Sequence, residues 1–218
     1  MGVLIAMGVF VLSHVVIART RLKPALIERL GERAYLFTYS ALSLVLLGWV
    51  IWALVTAERI LLWPTPLWSY AFAAITSLVG FVLIGVGALS PNPFSVAFRK
   101  SGFDPQRPGA IGWMRHPMVW GLALWGLAHV PANGDWPSLV LFAGSFVFGV
   151  TGVSVINRRL QRRYPPDDWQ RMTAGRGHVD RNALLGVATG LALWAGLLAL
   201  HPHLFGANPL AMLLVQLG

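Results

Sequence analysis

The sequence predicts an all-α protein, a polytopic membrane helix bundle of about six transmembrane helices with both termini on the non-cytoplasmic side. Three observations carry that reading. Of the 218 residues, 56% are hydrophobic and only 11% are charged, whereas a soluble domain gives about a quarter of its residues to charge. The apolar residues fall into six long runs separated by polar joins. The basic residues alternate between those joins.

The runs are residues 2–18, 35–57, 68–89, 117–132, 136–157 and 183–200. A hydrocarbon core of ~30 Å needs about 20 helical residues, so the fourth run is short. Its opening, Arg115-His116-Pro117, is a good helix start because proline suits the first turn. After it, Pro131 and the turn "ANGD" predict a close hairpin between runs four and five, with Gly134 at positive φ and Asp135 as part of the turn. The first run is followed, not preceded, by positive charge and lacks a small-residue cleavage site, so it reads as a retained span. The tail 208–218 is too short to cross and is expected in the interface or against the bundle.

The join 19–34 holds Arg19, Arg21, Lys23, Arg29 and Arg33; the join 90–116 holds Arg99, Lys100, Arg107 and Arg115. The join 158–182 holds Arg158, Arg159, Arg162, Arg163, Arg171, Arg176 and Arg181. Only Arg59 stands on the other side, which accounts for all 17 lysines and arginines. By the positive-inside rule the three rich joins are cytoplasmic. Orientation and anionic headgroups explain the net charge of +9, and no nucleic-acid-binding module is present. The absence of cysteine excludes disulfides, iron–sulfur clusters, thiolate ligands and cysteine nucleophiles.

One domain is expected, with the bilayer as its first partner. The join 90–116 is rich in proline and glycine and reads as a shaped loop. "NRRLQRRYPPDDWQRM" continues span five as a helix until Pro165-Pro166, after which Asp167 or Asp168 is expected to cap a short helix. Trp63, Trp68, Tyr70, Trp136 and Tyr35 gather near the boundaries as an aromatic belt would.

The deep interior of the spans offers essentially two ionisable residues, His14 and His129, and such groups are functional candidates by default. His116 and His129 are 13 residues apart, about 20 Å along a helix and roughly 140° around it, so they cannot share a metal. Trp125 and Asn133, one turn either side of His129, can pack on its ring and fix its tautomer. A buried neutral histidine bonded to a carbonyl is one reading. The other is axial ligation of haem iron, with His14 and His129 from two spans holding a b-type haem. Gly8, Gly121 and Gly126 are candidates to leave an apolar slot for the porphyrin. Straight upright helices would set the two histidines at depths about 10 Å apart. Arg115 and His116 either anchor a helix start or line a cytoplasmic site for an anion under the segment 158–176. His201-Pro202-His203 ends span six. Dinucleotide, P-loop, zinc-protease and serine-hydrolase signatures are absent.

At "RHPMVWGLALWGLAHVPANGD" the sequence resembles the NnrU family of bacterial membrane proteins. It shares the His-Pro opening and the "LAH..ANGD" ending, along with "GVFVLSHVVIARTRLKPALIERLGERAY", a basic segment after span five and "LHPHLFGANP". The resemblance covers nearly the whole chain. It implies a multi-pass protein of the bacterial inner membrane that supports nitrite and nitric oxide metabolism in denitrification, with a respiratory membrane partner. It also implies kinship with 15-cis-zeta-carotene isomerase, which isomerises a lipophilic polyene using haem b and its iron between two histidines. Those ligands fall on His14 and His129, and His116 matches a further family histidine. A more distant likeness, to isoprenylcysteine methyltransferases, rests on the "RHPMVWG" turn and "NRRLQRRYPPDDWQRM". Where those enzymes carry a glutamate, this sequence has Asn157-Arg158. A non-catalytic assembly factor is the third class left open.

Overall fold

A computed structural model describes residues 1–20, 22–99 and 101–217; Arg21 and Lys100, two of the counted basic residues, lie outside the described residues. Among these the secondary structure is helical, apart from a single antiparallel bridge between Leu61 and Asp135. The helices are α1 (Gly2–Arg19), α2 (Leu22–Leu30), α3 (Glu32–Thr56), α4 (Trp68–Leu89), α5 (Pro117–His129), α6 (Trp136–Arg163), α7 (Pro166–Thr173), α8 (Arg181–Phe205) and α9 (Pro209–Leu217). A 3₁₀ turn, Gly109–Gly112, interrupts the otherwise irregular segment between α4 and α5, as its proline and glycine content requires.

Four helices, α3, α4, α6 and α8, are long and apolar enough to cross a membrane, and a fifth span arises if α1 and α2, bent by 77°, count as one. The chain is an all-helical membrane protein. One expected feature changes here, and one, the short fourth run, holds. The join 19–34 is not merely a loop, because "LKPALIERL" forms α2. The fourth apolar run yields α5 of 13 residues, about 20 Å at 1.5 Å per residue.

The chain divides into two compact units. Unit 1 comprises Met1–Pro64 with Gly134–Gly144. In it α3 packs on α1 and α2, while Leu44, Val45, Trp52 and Val55 turn outward, each 63–70% exposed. Such a row is unfavourable in water and is what a helix presents to lipid. Tyr35 does not join a belt: it is buried and lies parallel to the ring of Tyr39, 5.9 Å away.

The start of α6 is pinned in unit 1 by Asp135. Its carboxylate accepts the Ser138 N–H and the Ser138 hydroxyl, each at 2.9 Å, and the Arg59 guanidinium at 2.9 Å. This is an N-cap reinforced by an ion pair. Burial pushes the Asp135 carboxyl up, but the two Ser138 bonds and Arg59 outweigh it and hold it below its ordinary value. Gly134 does not take positive φ as expected. It is glycine because a β-carbon would collide with the Trp63 carbonyl, and its own carbonyl accepts the N–H groups of Leu62 (2.7 Å) and Trp63 (3.2 Å).

Unit 2 comprises Thr65–Asn133 with Ser145–Gly218. Its centre is α4, which packs on α5 on one side and α8 on the other. Both seams are made of glycine. A β-carbon on Gly121 would stand 2.5 Å from the Gly80 carbonyl, and Gly85 meets the backbone of Gly186 and Gly190. Apolar burial gives helices little reason to associate in lipid, so close backbone approach and interhelical hydrogen bonds must hold them. Trp194 supplies one such bond, donating Nε1–H to Ser77 Oγ at 3.1 Å. From Ser145 onward α6 lies against α5, Gly149 facing Val119 and Ala123, as the expected hairpin of runs four and five requires.

Two local expectations are corrected, and the tail takes one of its two expected places. The cap position of α7 is Pro165 with no side-chain bond, so Asp167 and Asp168 sit within its first turn, Asp168 pairing with Arg171. The helix α8 runs through Pro202 to Phe205 and stops at Gly206, whose φ of 75° suits glycine; His201-Pro202-His203 therefore lies inside a last turn. The tail forms α9, packed on α4 and α8.

Candidate functional site

His14 stands on α1 in unit 1. Its Nδ1–H donates to the Phe10 carbonyl at 2.8 Å, one turn back, and its Nε2 lies 3.5 Å from the Ser43 hydroxyl on α3. The Phe10 ring is 4.5 Å away, and the Tyr39 ring meets it edge-on at 5.6 Å. Ser43 in turn donates to the Tyr39 carbonyl at 2.9 Å. A carbonyl can only accept, so Nδ1 of His14 carries a proton.

His129 ends α5 in unit 2 and repeats this arrangement. Its Nδ1–H donates to the Trp125 carbonyl at 2.8 Å, and the Trp125 ring packs at 5.2 Å. Trp125 therefore does what was expected of it and also sets the tautomer. Asn133 has a different task, donating Nδ2–H to the His129 backbone carbonyl at 2.9 Å and closing the helix end. Of the three glycines proposed to leave a slot, Gly121 is occupied by the α4 backbone, Gly126 is buried, and Gly8 has open space beside it.

His116 caps the other end of α5 and is only 3% exposed. Its Nε2–H donates to Asn157 Oδ1 on α6 at 2.9 Å. Burial lowers its pKa below the ordinary histidine value; the Asn157 bond opposes that and the Arg115 charge adds to it. Arg115 itself lies over the Trp169 ring at 5.7 Å. It lines a small cleft with Phe94, Ile111, Met172 and Gly175, of about 10 Å³, which is room for roughly one water. The segment 158–176 thus places Trp169 against Arg115. Among the described residues no group of three or more His, Asp or Glu gathers around a metal-sized point.

Asn157 and Ser43 are the contributors that a scan for ionisable residues passes over. A polar amide or hydroxyl inside an apolar run is the signal that points to them, since each must find a partner in lipid.

Fold and site together define a class: a multi-helix membrane protein in which two imidazoles on separate helices share one tautomer set by their own backbone. The NnrU protein family model matches residues 3–209, and the chain belongs to that family. No curated protein and no solved structure matches it.

Proposed function

We propose that this NnrU protein binds haem b through His14 and His129 in the bacterial inner membrane. There it serves respiratory nitrite and nitric oxide metabolism together with a membrane partner. Six spans with both termini on the outer side complete the reading, the short α5 counting as the fourth. The observation that carries it is the matched anchoring of the two histidines. Each gives Nδ1–H to the carbonyl four residues earlier at 2.8 Å. Iron-binding histidines are oriented in this way, the second nitrogen held by a carbonyl. The donor set fits haem, which needs two imidazole nitrogens and no carboxylate. When bound, the iron would supply one-electron redox or Lewis-acid chemistry. The chain's own part is to keep both rings from turning, through Trp125 beside His129 and Phe10 with Tyr39 beside His14.

A second reading is haem-dependent isomerisation of a lipophilic polyene at the same ligands. It is favoured by an open groove of about 360 Å³ in unit 1, lined by Val9, Leu12, Ser13, Val16, Ile17 and Leu22, beside His14 in sequence. Its lining is apolar enough to take a hydrocarbon chain.

A reduced-minus-oxidised optical spectrum of the purified protein tests the proposal. Sharp low-spin bands are expected, abolished in His14→Ala and in His129→Ala and unchanged in His116→Ala. Bands that persist in both of the first two variants, or purified protein that carries no haem, overturn the assignment.

A further inference from the structure

The last two turns of α6 carry Arg158, Arg159, Arg162 and Arg163, and all four residues are exposed. Counted around the helix at about 100° per residue, they fill an arc of about 140°. Leu160, only 9% exposed, points the other way, and with Ile156 and Tyr164 it packs on the cluster of Phe94 and Ile111. Arg158 and Arg162 stand one turn apart, as do Arg159 and Arg163, so each pair sets like charges on β-carbons about 5–6 Å apart. Among the described residues none of the four makes an ion pair, the salt bridges there being Arg59–Asp135 and Arg171–Asp168. Four cations in two turns repel one another, and an anion laid over them relieves it.

Two observations name the kind of anion. The first is depth. The helix α6 is long and apolar enough to cross a membrane, and a hydrocarbon core takes up about 20 of its residues. Counted from Trp136 these end near Val155, so the arginines fall in the headgroup layer that follows. The second is continuity. Val147 (56% exposed), Thr151, Arg158 and Arg162 lie on one side of the helix, within about 60° of one another. A single stripe therefore runs from apolar, lipid-facing surface into paired guanidinium groups. Thr151 does not interrupt it, since its hydroxyl donates to the Val147 carbonyl at 2.7 Å. A free phosphate would use only the end of this stripe; a phospholipid uses all of it. We propose that Arg158 and Arg162 bind the phosphate of an anionic phospholipid whose acyl chain lies along Val147 and Thr151. Arg159 and Arg163 supply flanking charge, and the guanidinium fork suits phosphate oxygens. The site rests on α6 alone and is independent of the haem proposal.

The test is native mass spectrometry of the full-length protein, released from detergent micelles after incubation with equal amounts of phosphatidylglycerol and phosphatidylcholine. A several-fold excess of phosphatidylglycerol adducts is expected in wild type. Arg158→Gln with Arg162→Gln should remove most of that excess, whereas Arg107→Gln, exposed in another loop, should leave it unchanged. Because lost arginines can alter how a span inserts, a second pair keeps the charge. Arg158→Lys with Arg162→Lys should retain the preference with fewer adducts than wild type, lysine offering a point charge in place of a fork. Millimolar inorganic phosphate should not displace the lipid. No preference in wild type, a glutamine pair that binds like wild type, a lysine pair as poor as the glutamine pair, or an equal loss in Arg107→Gln overturns the proposal. So does displacement by phosphate, which would make the site one for a free anion.

Discussion

His116 and His129 close the two ends of one 13-residue helix and are held in opposite senses. His129 is anchored by its own helix, through Nδ1 to the Trp125 carbonyl; His116 is anchored by another helix, through Nε2 to Asn157. The first arrangement comes with the helix and needs only a carbonyl four residues back, which is why His14 reproduces it on α1. The second depends on α5 and α6 being packed in register. Same residue, same helix: backbone anchoring presents Nε2, the nitrogen that reaches furthest from the chain, whereas side-chain anchoring here presents Nδ1 close to the backbone.

The contrast can be broken by loosening α5 as a whole. Gly121→Val sets new carbon against the Gly80 carbonyl, a backbone atom that cannot swing aside. A loss of about 3 kcal/mol in denaturant unfolding is expected. A value within 0.5 kcal/mol of wild type would mean that the α4–α5 seam is not as tight as described.

Next in size is the side-chain anchor. Asn157→Leu leaves the His116 Nε2–H buried without an acceptor and should cost about 1–3 kcal/mol, while spectra assigned to His129 stay as they were. Because burial keeps His116 neutral below the ordinary histidine range, its contribution is present above that range. It is lost as pH falls through the lowered value, when the ring must charge without solvent.

A smaller effect is expected at the start of α6. Asp135→Ala removes the cap and both Ser138 bonds, for about 1–2 kcal/mol. The Asp135 pKa is held below its ordinary value, so the stabilisation is present above pH about 4 and fades as pH falls through the lowered pKa. A stability–pH curve with the same acid limb in wild type and Asp135→Ala would contradict this. Smallest is Arg59→Ala: its side chain is 59% exposed, and such a pair is worth under about 1 kcal/mol. A larger loss would show that the ion pair, rather than the cap, holds the junction.

Much of this fold is legible in composition alone. The run 68–89 coincides with α4 because apolar residues fill it from Trp68 to the Ser90-Pro91 stop. The basic alternation and the isolation of His14 and His129 are likewise properties of the string. What escapes it is partnership. Gly121 reads equally well as room for a porphyrin or for a neighbouring backbone, and only the position of α4 decides. The helix α2 hides behind charge, since "LKPALIERL" lacks the apolar content of a span. Asn157 looks like the polar end of a helix until His116 is found against it. Asp135 was placed in a turn, whereas its role as cap and ion-pair partner needs Arg59, 76 residues away.

The central proposal is that His14 and His129 would hold one haem iron, and the spin state of the ferric protein reads it most directly. Low-temperature electron paramagnetic resonance should show low-spin iron in wild type and in His116→Ala, and high-spin iron or none in His14→Ala and His129→Ala. High-spin iron in wild type, or a low-spin signal that outlives both ligand variants, would contradict it.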